Sequence, residues 1–149
     1  MDRAQPLLVF GGRTVFGVLL AVVLSMVGMG IAWGSYVFFG ASSRSTLLTL
    51  LTVGAGVGAG LGGFLAWLRL EGDPGPVLLA TVLLALLAGI GGAWGGYEFG
   101  GRQEVPCCAK ADIGPVTYTT FGAAVAANGA ALVVSVARSL YGRIAAKRW

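Results

Sequence analysis

Charged residues are scarce in this 149-residue chain, and histidine is absent. Only 11% of the residues are Asp, Glu, Lys or Arg, whereas 56% are hydrophobic and 26 residues are glycine. Without histidine, the chain cannot ligate haem, chlorophyll or zinc through imidazole. No nucleophile–base pair and no phosphate-binding loop is recognisable. The sequence therefore predicts a protein that is not an enzyme and that has no cofactor and no metal site.

The charges that are present leave four long uncharged gaps, which lie between positions 13 and 44, 44 and 69, 73 and 98, and 112 and 138. Each gap holds at least 24 residues. A helix of that length rises about 36 Å, more than the roughly 30 Å hydrocarbon core of a bilayer. We predict an all-α integral membrane protein, a four-transmembrane-helix bundle with spans at about 14–39, 46–70, 76–99 and 114–138. All 149 residues would form one membrane domain.

Basic residues are distributed unequally between the two sides of this predicted topology. Seven lie on the side of the termini and the central loop: Arg3, Arg13, Arg69, Arg138, Arg143, Lys147 and Arg148. Three lie on the other side: Arg44, Arg102 and Lys110. The positive-inside rule then predicts cytoplasmic termini in a bacterial cytoplasmic membrane. The basic tail at 139–149 would lie against anionic lipid, with Trp149 in the interface, and no nucleic-acid binding is expected.

An internal match suggests that the bundle is a duplication. Residues 30–38 and 91–99 share Gly, Ala, Trp, Gly, Tyr and Phe at an offset of 61 positions. Spans two and four match more weakly at an offset of 68. We predict two tandem parallel helical-hairpin repeats, at about 12–70 and 73–138. The match also indicates that the first span is retained rather than cleaved as a signal peptide.

Small residues recur at every fourth position in three of the spans. The pattern is typical of glycine-zipper (GxxxG) packing, in which helix backbones approach closely and gain van der Waals contact. The predicted helix-packing residues are Gly54, Gly58, Gly62, Gly56, Gly60, Gly89, Gly92, Gly96 and Gly122. Span two carries two such faces. They could serve packing within the chain, or one face could bind another subunit.

The glycine run at 54–63 resembles that of the proteolipid ring subunits of rotary ATPases, which are also tandem hairpins. That resemblance would imply a carboxylate in the middle of a span, where it binds the coupling ion. No Asp or Glu lies near the middle of any predicted span, since Glu98 is at the outer end of span three. The assignment to that family is therefore rejected.

Aromatic residues near the span ends are interpreted as interface anchors, because amphipathic rings favour the headgroup region. The predicted anchors are Trp33, Tyr36, Trp67, Trp94, Tyr97 and Trp149. A paired aromatic site for a lipid, quinone or pigment ring is the alternative. Cys107 and Cys108 in the longest loop suggest intermolecular disulfides or unreactive thiols, with soft-metal capture as an alternative.

Polar residues within the spans are few. Asn128 is the most polar residue near the middle of a span, and its amide is expected to bond a neighbouring helix. A possible polar path comprises Asn128, Thr49, Thr52 and Thr120. The threonine hydroxyls could equally bond the carbonyl four residues back in their own helix.

Together these patterns predict a non-catalytic multi-pass membrane protein that acts through close helix packing. It would be an accessory or scaffold subunit of a larger membrane complex, or a self-associating four-span protein. Its partners would be the lipid bilayer and other membrane subunits or itself. The alternative is a small channel or transporter for a neutral or weakly polar solute, with Asn128 and the threonines along the path. Charge-coupled transport is disfavoured, since intramembrane ionisable residues usually provide such coupling.

Overall fold

The protein is a bundle of four α-helices. The computed structural model describes residues 4–40, 43–68, 75–103 and 114–146, with side chains for 9–40, 43–68, 75–103 and 115–138. The helices are α1 (Ala4–Phe38), α2 (Arg44–Trp67), α3 (Gly75–Gly101) and α4 (Gly114–Ala146). In each helix, one segment is long and apolar enough to cross a membrane: Val9–Phe38, Arg44–Trp67, Gly75–Gly101 and Pro115–Arg138. The predicted all-helical class and the number of candidate spans are confirmed.

The ends of the observed helices differ from the ends of the predicted spans. Helix α1 begins ten residues before the predicted start at 14, and α4 continues eight residues beyond 138. Helix α2 ends at Trp67 rather than at 70, because Leu68 has an extended backbone. At the end of α1, Gly40 adopts a φ of +61°, a left-handed conformation that glycine favours after a helix.

The four helices are arranged so that α2 and α4 each contact all three other helices. Helices α1 and α3 make no contact with each other among the described residues. The cross-section is therefore a rhombus with α2 and α4 across its short diagonal. We name the two ends of the bundle by their residues: the Arg44 end, where α2 begins, and the Trp67 end, where α2 ends.

The core of the bundle consists almost entirely of small residues. Its main cluster comprises Ala21, Ala55, Ala59, Ala93, Ala123, Ala124 and Ala127. Among the side chains that the structure describes, the largest with under 2% exposure is that of Ser25. Large apolar side chains lie outside instead, such as Leu87 at 68% and Phe16 at 59% exposure. This arrangement is the reverse of a water-soluble core, and it suits helices that associate by backbone contact within lipid.

Candidate functional site

The predicted packing glycines of α2 lie against two different helices. Gly54, Gly58 and Gly62 face α1, where a Cβ at Gly62 would lie 2.5 Å from the Cα of Ala21. A Cβ at Gly58 would overlap the carbonyl oxygen of Leu24. A side chain at these positions would thus meet backbone atoms, which cannot rotate away. The first glycine face of α2 is occupied by the chain's own α1.

The second glycine face of α2 is occupied by α3. A Cβ at Gly60 would lie 2.8 Å from the Cα of Leu86, and one at Gly56 would overlap the Cα of Ile90. From the other side, a Cβ at Gly89 would overlap the carbonyl oxygen of Gly56. Both small-residue faces of α2 therefore pack within the chain, and neither is open to a second subunit.

The remaining predicted packing glycines close the α3–α4 hairpin. Gly92 and Gly122 face each other, and a Cβ on either would overlap the other's carbonyl oxygen. A Cβ at Gly96 would overlap the carbonyl oxygen of Tyr118. All nine glycines predicted from spacing thus lie at contacts between helices of this bundle.

Sequence reasoning missed several residues of the same kind. A Cβ at Gly100 would lie 2.8 Å from the Cα of Pro115, and one at Gly63 would lie 3.1 Å from the carbonyl of Ala127. Gly17 is buried against Asn128. The sequence does contain a pattern that could have identified Gly17, because the small residues Gly17, Ala21 and Ser25 are spaced four apart. All three are buried in the structure. Gly100 likewise continues the four-residue spacing of Gly92 and Gly96.

The contacts of the two hairpins do not follow the predicted repeat in register. Gly54 and Gly122 are equivalent at the offset of 68, and Gly28 and Gly89 are equivalent at the offset of 61. Gly54 contacts Gly28, whereas Gly122 contacts Gly92, three residues beyond Gly89. Gly89 instead contacts α2. A different face of α3, the one that carries Gly92, therefore packs against α4. The repeat architecture stays a prediction from sequence.

Four glycines of the duplicated motif have a different environment. Gly30 and Gly34 on α1, and Gly91 and Gly95 on α3, have no atom within 4 Å of an added Cβ. Each pair has the four-residue spacing of a packing motif, and the two pairs are equivalent at the offset of 61. Because α1 and α3 do not touch, the two pairs lie on separate surfaces of the bundle. Within the described ranges, these two pairs are packing motifs that the helices of the chain leave open.

The predicted aromatic anchors fall into two groups. Trp33 and Trp94 are exposed, at 58% and 55%, and Tyr36 and Tyr97 are half-buried. Trp67 is only 4% exposed and makes an edge contact with Phe10, with 5.4 Å between ring centroids. Trp149, Cys107 and Cys108 lie outside the described residues.

The residues predicted for a polar path are spread along the bundle. Asn128 is buried, and its Nδ2 donates to the carbonyl oxygens of Gly17 at 3.1 Å and Ala124 at 3.0 Å. It therefore connects α4 to α1. Thr52 and Thr120 are also buried, and each donates to the carbonyl four residues back, as does the exposed Thr49. Thr52 lines a small cavity of about 40 Å³ near the Arg44 end.

Arg13 has a role that charge counting did not reveal. Its Nε donates to the carbonyl oxygen of Ala66 at 2.6 Å, and its Nη2 donates to that of Leu68 at 3.0 Å. The guanidinium also lies 5.5 Å from the ring centroid of Trp67. A cation at a helix C-terminus binds carbonyls that have no partner in the helix and interacts favourably with the helix dipole. Arg13 thus fixes the end of α2 against α1.

No cluster of three or more potential metal ligands occurs within the described residues. A scan against family models finds no match to the chain, and searches of curated proteins and of solved structures find none either. The candidate functional surfaces are therefore defined by the geometry alone: two open glycine pairs on α1 and α3, and a core closed by small residues.

Proposed function

We propose that this chain is an integral membrane protein that acts without catalysis, as an accessory or scaffold subunit or as a self-associating four-span protein. The observation that carries the proposal is the pair of open motifs at Gly30/Gly34 and Gly91/Gly95. In lipid, helices associate through such small-residue surfaces because the backbones can approach closely. The packing glycines of α2 no longer support the proposal, since they contact the chain's own helices.

Two separate motifs allow one chain to contact two neighbours at once. Each motif lies beside an exposed tryptophan, Trp33 or Trp94, at the Arg44 half of its helix. The rings of Trp33 and Trp94 would fix the depth of this half at the membrane interface. Neighbouring subunits held at the same depth would then align their small-residue surfaces. The proposed setting is a bacterial cytoplasmic membrane with cytoplasmic termini, on the basis of the unequal basic residues.

The test is the native mass of the protein extracted in mild detergent, with co-migrating polypeptides identified by mass spectrometry. We expect a complex larger than one chain. The double substitutions Gly30→Leu/Gly34→Leu and Gly91→Leu/Gly95→Leu should reduce its mass while each chain stays folded. Gly129→Leu is the matched control, because Gly129 also has no atom within 4 Å of an added Cβ but belongs to neither pair. A monomeric wild-type protein would contradict the proposal.

A channel or transporter for a neutral or weakly polar solute is the second candidate. One observation favours it: Asn128 Oδ1 and Ser25 Oγ are buried and have no hydrogen-bond partner among the described residues. Such atoms could bind a passing polar solute. Asn128→Leu, which keeps the approximate shape of the side chain, should then abolish solute flux into vesicles. Unchanged flux would remove this candidate's main residue.

A further inference from the structure

A groove of about 330 Å³ lies between α1 and α2 and opens at the surface of the bundle. Its floor is formed where Gly28 meets Gly54 and Gly58, because these residues have no side chains to fill it. Its walls are branched apolar side chains: Leu24, Val27 and Ile31 from α1, and Leu50, Val53, Val57 and Leu61 from α2. No polar side chain lines the groove. Its chemistry therefore suits a hydrocarbon chain.

The position of the groove along α2 gives its depth. It extends from Leu50 to Leu61, while the helix runs from Arg44 to Trp67. At about 1.5 Å per residue, the groove is roughly 16 Å long and begins about 9 Å from Arg44. In a membrane-spanning α2, this stretch would lie within the hydrocarbon layer, where acyl chains are the surrounding molecules. Leu61 is likewise about 9 Å from Trp67, so the charge at each end, rather than the depth, decides which end takes the headgroup.

The Arg44 end of α2 carries positive charge that has no carboxylate partner within the described part of the chain. Arg44 is exposed and forms no ion pair with a carboxylate of the described residues. Ser43 precedes the helix but its side chain caps no backbone N–H, and its hydroxyl bonds that of Ser45 at 2.7 Å. The free N–H groups of a first helical turn add a partial positive charge that favours anions. By contrast, Arg102 lies 3.9 Å from the carboxylate of Glu98.

We propose that the α1–α2 groove binds one acyl chain of an anionic phospholipid whose phosphate lies at Arg44 and the first turn of α2. The apolar groove selects the hydrocarbon, and the uncompensated charge at its end selects the headgroup. A helix from a second copy would also be apolar, and its carboxylate at this end, on Glu98 of α3, already lies 3.9 Å from Arg102. This site requires a bundle inserted in a membrane and does not require the assembly proposed above.

The experiment uses the full chain in phosphatidylcholine vesicles with traces of a phospholipid that has a photoreactive diazirine in the outer half of one acyl chain. Phosphatidylglycerol and phosphatidylcholine forms of this probe are compared, and cross-linked residues are located by mass spectrometry. We expect labelling of the groove walls, about fivefold stronger with phosphatidylglycerol, the effect of one basic residue on an anionic lipid. Arg44→Gln should lower this ratio to about one, and Arg102→Gln should leave it unchanged.

A second variant tests the groove itself. Val53→Trp would fill it, and we expect labelling of its walls to fall severalfold. Leu84→Trp is the control, since Leu84 is 48% exposed on α3 and does not line the groove. Equal labelling of the groove and of the exposed side of α3 would overturn the proposal. So would a headgroup ratio of one in the wild-type chain. Arg44→Gln keeps the test valid if Val53→Trp fails to fold, because Arg44 is exposed and outside the core.

Discussion

In the α1–α2 hairpin, the glycines that admit a neighbouring backbone lie mainly on the second helix, at Gly54, Gly58 and Gly62. In the α3–α4 hairpin they lie mainly on the first helix, at Gly92, Gly96 and Gly100. The two glycine-rich helices, α2 and α3, are also in contact with each other. The glycine-rich helix is thus not the same one in the two hairpins, and the two glycine-rich helices are neighbours at the centre of the chain.

Helix α2 contacts three helices and carries a small-residue face toward each. Gly58 faces α1, Gly60 faces α3 and Gly63 faces α4. Helix α4 also has three neighbours but presents mainly alanine, at Ala123, Ala124 and Ala127. Glycine allows backbone atoms to touch, whereas alanine keeps a methyl group between them. The closest contacts therefore concentrate around α2.

The largest expected effect comes from adding a side chain to each hairpin in turn. Gly58→Leu should lower the free energy of unfolding by about 3 kcal/mol or more, because the new side chain would collide with the backbone of α1. Gly96→Leu should cost about 2–3 kcal/mol through its collision with Tyr118 on α4. Denaturant titration of the protein in mild detergent measures both changes.

Gly129→Leu is the control for this pair, since Gly129 is exposed on α4, has open space around an added Cβ and belongs to neither open glycine pair. It should leave the free energy of unfolding nearly unchanged. If Gly58→Leu were tolerated as well as Gly129→Leu, the role of α2 as the most closely packed helix would be wrong.

Arg13 provides the next contrast, because it joins the helices of the first hairpin at the Trp67 end. Arg13→Gln removes the charge from the carbonyls of Ala66 and Leu68 and from the ring of Trp67. We expect a loss of about 1–2 kcal/mol in the free energy of unfolding. Arg102→Gln, whose ion pair is exposed, should cost less than about 0.5 kcal/mol. Similar losses in the two variants would contradict the capping role of Arg13.

Asn128 connects the two hairpins rather than closing either one. Asn128→Leu removes its hydrogen bond to Gly17 but also removes a buried carbonyl oxygen that has no partner. These effects oppose each other, so we expect a net destabilisation of about 1 kcal/mol, as is typical of hydrogen bonds between membrane helices. The same denaturant titration detects it, and a stabilised variant would show that the unpartnered oxygen has the larger effect.

The smallest effect is expected from the buried threonines. Thr52→Val and Thr120→Val remove hydroxyls that bond only the carbonyl four residues back in the same helix. The shape of the side chain is kept and no contact between helices is lost. We expect changes within about 0.5 kcal/mol of the wild-type free energy of unfolding. A loss of 2 kcal/mol or more would indicate a threonine contact between the hairpins.

The four helices and most packing positions were predictable because both follow from local pattern. Uncharged length predicts a helix that can cross a bilayer, and spacing of four places Gly54, Gly58 and Gly62 on one face. The spacing rule does not state which neighbour a face will meet. It therefore allowed α2 to bind another subunit, whereas the structure places α1 and α3 on its two glycine faces. Arg13 was likewise counted as a topological charge, since its bonds reach residues more than 50 positions away.

By itself, the sequence determined that this chain forms long apolar helices with almost no ionisable groups between their ends. It also determined which helix faces lack side chains, because helical period converts spacing directly into direction. Only the tertiary structure decided how those faces are used. It closed the glycines of α2 inside the bundle and left Gly30, Gly34, Gly91 and Gly95 open. The physical reason is that each helix face can pack against only one neighbouring helix. Which neighbour that is depends on how all four helices pack together.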